Sequence, residues 1–278
     1  MTTRDLLLTA WDWEPSIVIG CAALLALYFY FVRPRSLWRI FCYCAGVIVL
    51  LLALVSPIDA LSDHYLFSVH MIQHLLLILV VSPLLILGVP ADFAVRFLGR
   101  PRIASAERVL SNPFVSWTAA ALALGLWHVP LFYNFALAHE GVHVLEHLIF
   151  LVTATMFWWP VLTSEPELRL GAGATVLYLF LASLFNSILG IIITFAPLGW
   201  YPAYVHPHDV LGILPLIRNQ WGISAVADQQ LGGLLMWVPA GLIYFSIIVG
   251  TVIRWQSGSE IDLTETQDSY IARGEHAA

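Results

Sequence analysis

The sequence predicts an all-α, polytopic membrane protein: a bundle of seven transmembrane helices, amino terminus outside and carboxyl terminus in the cytoplasm. Three observations carry this. The 278 residues are 60% hydrophobic and 11% charged, with a mean hydropathy of +0.83, whereas a soluble domain is nearer half apolar and a quarter charged. Seven apolar stretches succeed one another, at residues 16–32, 37–56, 68–88, 113–128, 143–162, 173–197 and 229–253. Each is near the ~20 residues a helix needs to cross ~30 Å of hydrocarbon. The cationic residues, finally, fall unevenly on the two sides.

Residues 1–15 form a short polar and aromatic lead (Trp11, Asp12, Trp13, Glu14, Pro15), and no basic segment with a small-residue cleavage site precedes the first apolar run. The membrane domain is expected over residues 16–253. The fourth stretch is the shortest and would be extended by its neighbours. From Arg254 to the end, residues 254–278, the chain turns polar and reads as a disordered cytoplasmic tail. Odd-numbered connections and the tail carry Arg33, Arg35, Arg39, Arg96, Arg100, Arg102, Arg108, Arg169, Arg254 and Arg273, while the opposite side carries only Arg4 and Arg218. Cytoplasmic loops are the ones enriched in Lys and Arg, which sets the orientation. Nothing in this composition points to a nucleic-acid partner. The partner it does define is the lipid bilayer, with a homo-oligomer left open. Cys21, Cys42 and Cys44 lie within apolar runs, too few for a disulfide scaffold, and free Cys there behaves as a small hydrophobe.

On that topology every histidine except His276 falls on the outer side. His70 and His74 open the third stretch, His128 closes the fourth, His143 and His147 open the fifth, and Asp228 opens the seventh. His64, His139, His206 and His208 lie in outer loops. Residues four apart share one helix face, so His70/His74 and His143/His147 are two imidazole pairs on separate helices, a usual way to offer two ligands to one metal. A boundary histidine can instead bond a helix rim or a loop carbonyl, but two pairs plus His128 on one side outweigh that reading. The expected metal ligands are His70, His74, His128, His143, His147 and Asp228, with His64, His139, Glu146 and Met236 ranked behind them. Asp228 reads equally as an N-cap of the seventh helix or as a partner orienting an imidazole. Met236, two turns inside Asp228, reads first as packing. Imidazole suits Zn, Cu, Fe and Ni alike, so ligand type alone leaves the metal undecided.

Two enzyme motifs compete. His143-Val144-Leu145-Glu146-His147 matches the His-x-x-Glu-His of inverted zinc proteases, with Glu as general base, but five residues with two fixed types are a weak signal. His-x-x-x-His boxes also occur in membrane di-iron oxygenases, where they face the cytoplasm rather than outward.

The set Ser56-Pro57-Ile58-Asp59, His70-Met71-Ile72-Gln73-His74, Leu126-Trp127-His128-Val129-Pro130, His143-Val144-Leu145-Glu146-His147, Phe157-Trp158-Trp159-Pro160 and Asp228-Gln229-Gln230-Leu231-Gly232-Gly233-Leu234-Leu235-Met236-Trp237-Val238-Pro239 resembles the CtaG family of cytochrome c oxidase assembly proteins, the seven-helix kind associated with caa-type oxidases in bacteria. The resemblance implies a multi-pass protein of the bacterial inner (plasma) membrane that serves oxidase maturation through copper delivery, with oxidase subunits or a copper chaperone as partners. It extends neither to His206-Pro207-His208 nor to the tail. Copper is the expected metal, ahead of zinc, iron or haem, and a metal-handling assembly factor is expected rather than an enzyme. The competing readings are a membrane metalloenzyme, oxidoreductase or hydrolase, using the same cluster with Glu146 as base, and a b-type haem protein with one His from each of two helices on the iron.

Overall fold

The structure, a computed structural model, describes residues 2–33, 36–90, 93, 112–164 and 168–275, with side chains described as far as Ser257. Arg35, Arg96, Arg100, Arg102, Arg108 and His276 lie outside the described residues. The secondary structure of the described residues is helical throughout: α1 (Thr3–Thr9), α2 (Pro15–Phe31), α3 (Leu37–Val55), α4 (Pro57–His64), α5 (Phe67–Gly88), α6 (Pro113–Trp127), α7 (Pro130–Ala138), α8 (Glu140–Leu162), α9 (Ala172–Phe195), α10 (Pro202–Val205) and α11 (Ala225–Glu275).

Five of these are long and apolar enough to cross a membrane: α3, α5, α8, α9 and α11 as far as Ser257. The protein is therefore a multi-pass membrane protein. Against the seven stretches of the sequence, two fall short for physical reasons. α2 has 17 residues, about 25 Å at ~1.5 Å per residue, under the ~30 Å of hydrocarbon. The fourth stretch is interrupted at His128-Val129-Pro130, where α6 and α7 meet at 75°, and the pair makes a sixth span if it is one crossing. Pro130 opens α7 at a position where its missing N–H is harmless. The backbone of α11 stays helical to Glu275, past Arg254 where composition begins to favour an unstructured chain.

Close helix contact is made by glycine. A Cβ on Gly190 of α9 would stand 2.6 Å from the Trp237 ring and 2.9 Å from the Gly233 carbonyl, and one on Gly233 would meet Thr194 and the Gly190 carbonyl. Gly232, the next residue round α11, faces the other way, and a Cβ there would collide with the Phe67 ring of α5. The Gly232-Gly233 pair thus lets α11 wedge between α5 and α9, the small-residue logic of membrane helix packing. Deeper in the same seam, Asn186 of α9 donates its amide to the Met236 carbonyl of α11.

α5 contains a π-helical stretch, Leu76–Val81, one turn below His74. The Ser82 amide bonds the Leu77 carbonyl five residues back, and the Ser82 hydroxyl bonds the same oxygen at 3.0 Å. Pro83 follows directly; its ring lacks an N–H and crowds the carbonyl four residues back, so a widened turn relieves it. The indole of Trp158 on α8 donates to the Ile78 carbonyl at 2.8 Å, linking the two helices that bear the histidine pairs. At the opposite end Arg39 ties α3 to the Val89 carbonyl at 2.5 Å and to Ser164 at 3.1 Å.

Candidate metal centre

Four helices converge at the end of the bundle where α5 and α8 begin. α5 brings His70 and His74 and α8 brings His143, Glu146 and His147. α6 ends on His128, and α11 begins with Asp228. His70, His74, His128, Glu146 and Asp228 are each no more than 3% exposed, and His143 is 8% exposed. The i,i+4 pairs stack as expected, with ring centroids 4.2 Å apart for His70–His74 and 4.4 Å for His143–His147. Across the helices His70 lies 5.3 Å from His143, and His74 lies 5.5 Å from His147 and 5.8 Å from His128.

Donor atoms of His70, His74 and His147 lie within 4.8 Å of one another, and so do those of Asp63, His70 and His143. The two triads share His70. Asp63, from the short helix α4, is a member of the site beyond those the sequence analysis names. Its Oδ2 stands 3.6 Å from His143 Nδ1, and the signal that would have found it is the i,i+4 carboxylate pair Asp59/Asp63 just ahead of the first histidine helix.

The hydrogen bonds around the cluster define which nitrogens are free. His128 Nδ1 lies 2.7 Å from the Leu124 carbonyl; a carbonyl only accepts, so Nδ1 carries the proton and Nε2 the lone pair. The Tyr204 hydroxyl donates to the Ser62 carbonyl at 2.8 Å. Its only proton being used, His70 Nδ1 at 3.2 Å and the Tyr133 hydroxyl at 2.9 Å must donate to the Tyr204 oxygen. His70 is thereby assigned the same tautomer, with Nε2 as the lone pair. The Nε2 atoms of His70, His74, His128, His143 and His147 are all buried without a hydrogen-bond partner, as are His74 Nδ1 and Glu146 Oε1. Buried nitrogens in such number without partners are costly, and a bound cation would satisfy them. Glu146 Oε1 stands 3.7 Å from His74 Nε2.

Asp228 has another task. Its carboxylate accepts from the Phe67 amide at 2.8 Å, the Ser68 amide at 3.0 Å and the Ser68 hydroxyl at 2.6 Å. It caps α5, the helix of His70 and His74, rather than its own; α11 takes its cap from Ser224, whose hydroxyl accepts from Ala227 at 3.1 Å. Met236, expected deeper in the membrane, lines with Met71, His74 and His128 a cavity of about 30 Å³, enough for one small occupant. His139 and His64 do not join either triad. His139 is the N-cap residue of α8 and bonds the Phe135 carbonyl at 2.8 Å, and His64 ends α4 on the surface.

Spans, close-packed glycines and a buried histidine cluster make this a polytopic α-helical membrane protein with a preformed nest of imidazole donors. Residues 24–257 match the family described as cytochrome c oxidase caa3 assembly factor (Caa3_CtaG), and the chain belongs to that family. It is also similar to an uncharacterized protein of Mycobacterium bovis and to one of Mycobacterium tuberculosis, each 29% identical over 89% of this chain and 40% of the relative. A third, from Mycobacterium leprae, is 25% identical over 87% of this chain and 39% of the relative. The chain thus spans about two fifths of the length of the curated relatives it matches. No solved structure matches.

Proposed function

We propose that this protein serves the assembly of cytochrome c oxidase by taking up copper at the buried histidine cluster and passing it on. Copper is cargo in this reading, not a resident cofactor. The observation that carries it is the set of five buried Nε2 atoms without partners, three of their rings with donor atoms inside 4.8 Å. Imidazole binds several transition metals; thioethers beside it favour cuprous copper, and Met71 and Met236 share a cavity wall with His74 and His128. The recipient in this reading is the oxidase, reached through one of its subunits or a copper chaperone, and membership of an oxidase assembly family supports it.

The same proposal includes the topology. Counting α2 and the bent pair α6–α7 as crossings yields the seven spans of the sequence. The amino terminus is then outside, the carboxyl terminus cytoplasmic, and the cluster at the outer boundary of a bacterial inner membrane, as the arginine asymmetry requires.

A second reading, a membrane metalloenzyme, is favoured by one feature, the buried carboxyl of Glu146 3.7 Å from His74, the position of an acid–base group beside a metal ligand. Elemental analysis of the full chain purified in mild detergent decides between these. Copper that exchanges with added chelator is the expected result. A tightly kept metal with substrate turnover would favour the enzyme, a strong visible haem spectrum the haem protein, and a chain that binds no metal would overturn the proposal.

A further inference from the structure

We propose that the cluster holds two overlapping metal positions joined by His70: an outer one made by Asp63, His70 and His143, where the ion is taken up, and an inner one made by His70, His74 and His147, where it is kept. The inference deepens the copper-handling reading and rests on it.

Two geometric facts separate the positions. Each triad has its own donor atoms within 4.8 Å, with His70 alone in common. Ligand atoms about 2.0–2.2 Å from one tetrahedral ion stand about 3.3–3.6 Å apart, so modest side-chain rotation closes either set. Exposure then differs between them. The Asp63 side chain is 26% exposed and that of His143 11%, whereas the His74 side chain is 3% exposed and all three members of the inner triad are buried. One position opens toward solvent and the other is sealed behind it, beneath the phenols of Tyr133 and Tyr204.

Asp63 is built as a ligand. The Ser62 hydroxyl lies 2.8 Å from its Oδ1, leaving Oδ2 toward His143. A carboxylate with two imidazoles suits an incoming, hydrated dication, and an all-imidazole set still binds that same ion once its water is shed, since imidazole suits cupric copper as well. The ring of His70 stands between the two, 5.3 Å from His143 with planes 19° apart and 4.2 Å from His74. Transfer inward exchanges ligands only: the bonds to Asp63 and His143 break, those to His74 and His147 form, and the bond to His70 persists. No electron moves, and the ion never stands bare in a low-dielectric interior, where an unpaired charge is most costly.

The test loads Cu(II) onto the full chain in detergent, following uptake in time and, after loading, removal by excess chelator. Asp63→Asn and His143→Gln address the outer position, and His147→Gln the inner one. Gel filtration and circular dichroism establish that each variant is folded, and two outer variants guard against the loss of either. The outer variants should load about tenfold more slowly yet finish with wild-type copper content. His147→Gln should load at the wild-type rate but release copper to chelator about tenfold faster, since losing one ligand or its support costs about 10–100-fold in affinity. Wild-type loading rates in both outer variants, or an identical defect in outer and inner variants, would overturn the two positions while leaving copper handling intact. Absence of copper binding in the wild type would overturn both readings together.

Discussion

The carboxylate of Asp228 caps the helix that begins at Ser68's turn, accepting both the amide and the hydroxyl of Ser68 at 3.0 and 2.6 Å. The contact joins residues 160 apart in the chain. It also fixes the first turn of α5, where the helix dipole favours a negative charge and where His70 stands. The placement of His70 and the joining of α11 to α5 are thus coupled at one side chain, whose hydrogen bonds go to Phe67 and Ser68.

Asp228→Ala should therefore destabilise the protein by at least about 2 kcal/mol, since a lost cap costs about 0.5–2 kcal/mol and each orphaned buried donor about 1–3. Thermal unfolding in detergent measures it. Asp228→Asn, which retains one acceptor oxygen, should fall between. X-ray absorption of any copper bound to the Asn variant should show an unchanged ligand set.

Gly233→Ala should cost about 1–3 kcal/mol by overpacking, because the added methyl meets Thr194 and the Gly190 backbone, neither of which can yield without moving α9. Gly250→Ala on the same helix, with open space at its Cβ, should be neutral. Equal unfolding temperatures for the two variants would contradict the wedge of α11 between α5 and α9.

Stability should depend on pH through Asp59. Burial, then the charge of Asp63, with smaller contributions from Asp12 and Glu14, pushes its carboxyl up to about 8 against the opposing hydrogen bond from Gln73. The folded value lies above the unfolded one, so the folded state holds the proton more tightly. Its contribution is full below the ordinary value near 3.8 and is lost as pH rises toward 8. Metal-free wild-type protein should lose melting temperature relative to Asp59→Asn as pH rises from 5 to 8. Asp59→Asn keeps an oxygen for the Gln73 amide, 2.7 Å away in the wild type, and should flatten the slope.

The double variant His74→Ala, His147→Ala should reach the membrane in normal amount, because Ala suits a membrane helix and a boundary histidine adds little to insertion. It should lose bound copper and fail to support oxidase activity in cells. Normal oxidase from a stable double variant would end the copper reading; a fall in protein level without copper dependence would indicate a structural role.

Reporter fusions active only outside the membrane should respond within residues 57–67, 130–142 and 198–228 and stay silent at Gly99 and Gly258. Activity at Gly258 would reverse the proposed orientation.

Much of this protein is determined by the sequence alone. Apolar stretches of membrane-crossing length specify helices because the bilayer leaves the backbone no other way to satisfy its polar groups. The four-residue spacing of His70/His74 and of His143/His147 puts each pair on one face regardless of what surrounds it. The tertiary structure decided the rest, since it depends on which helix ends meet. Asp63 enters the site only because α4 packs against α5 and so stands beside His143 of α8, and Tyr204 assigns the His70 tautomer from α10, 134 residues away. Asp228 sits at the start of one helix yet caps another, and Met236 reaches the wall beside His74 and His128 only because α11 packs against α5 through Gly232. Local spacing encodes what lies on a single helix; contacts between helices depend on close approach, and only the packed bundle sets that.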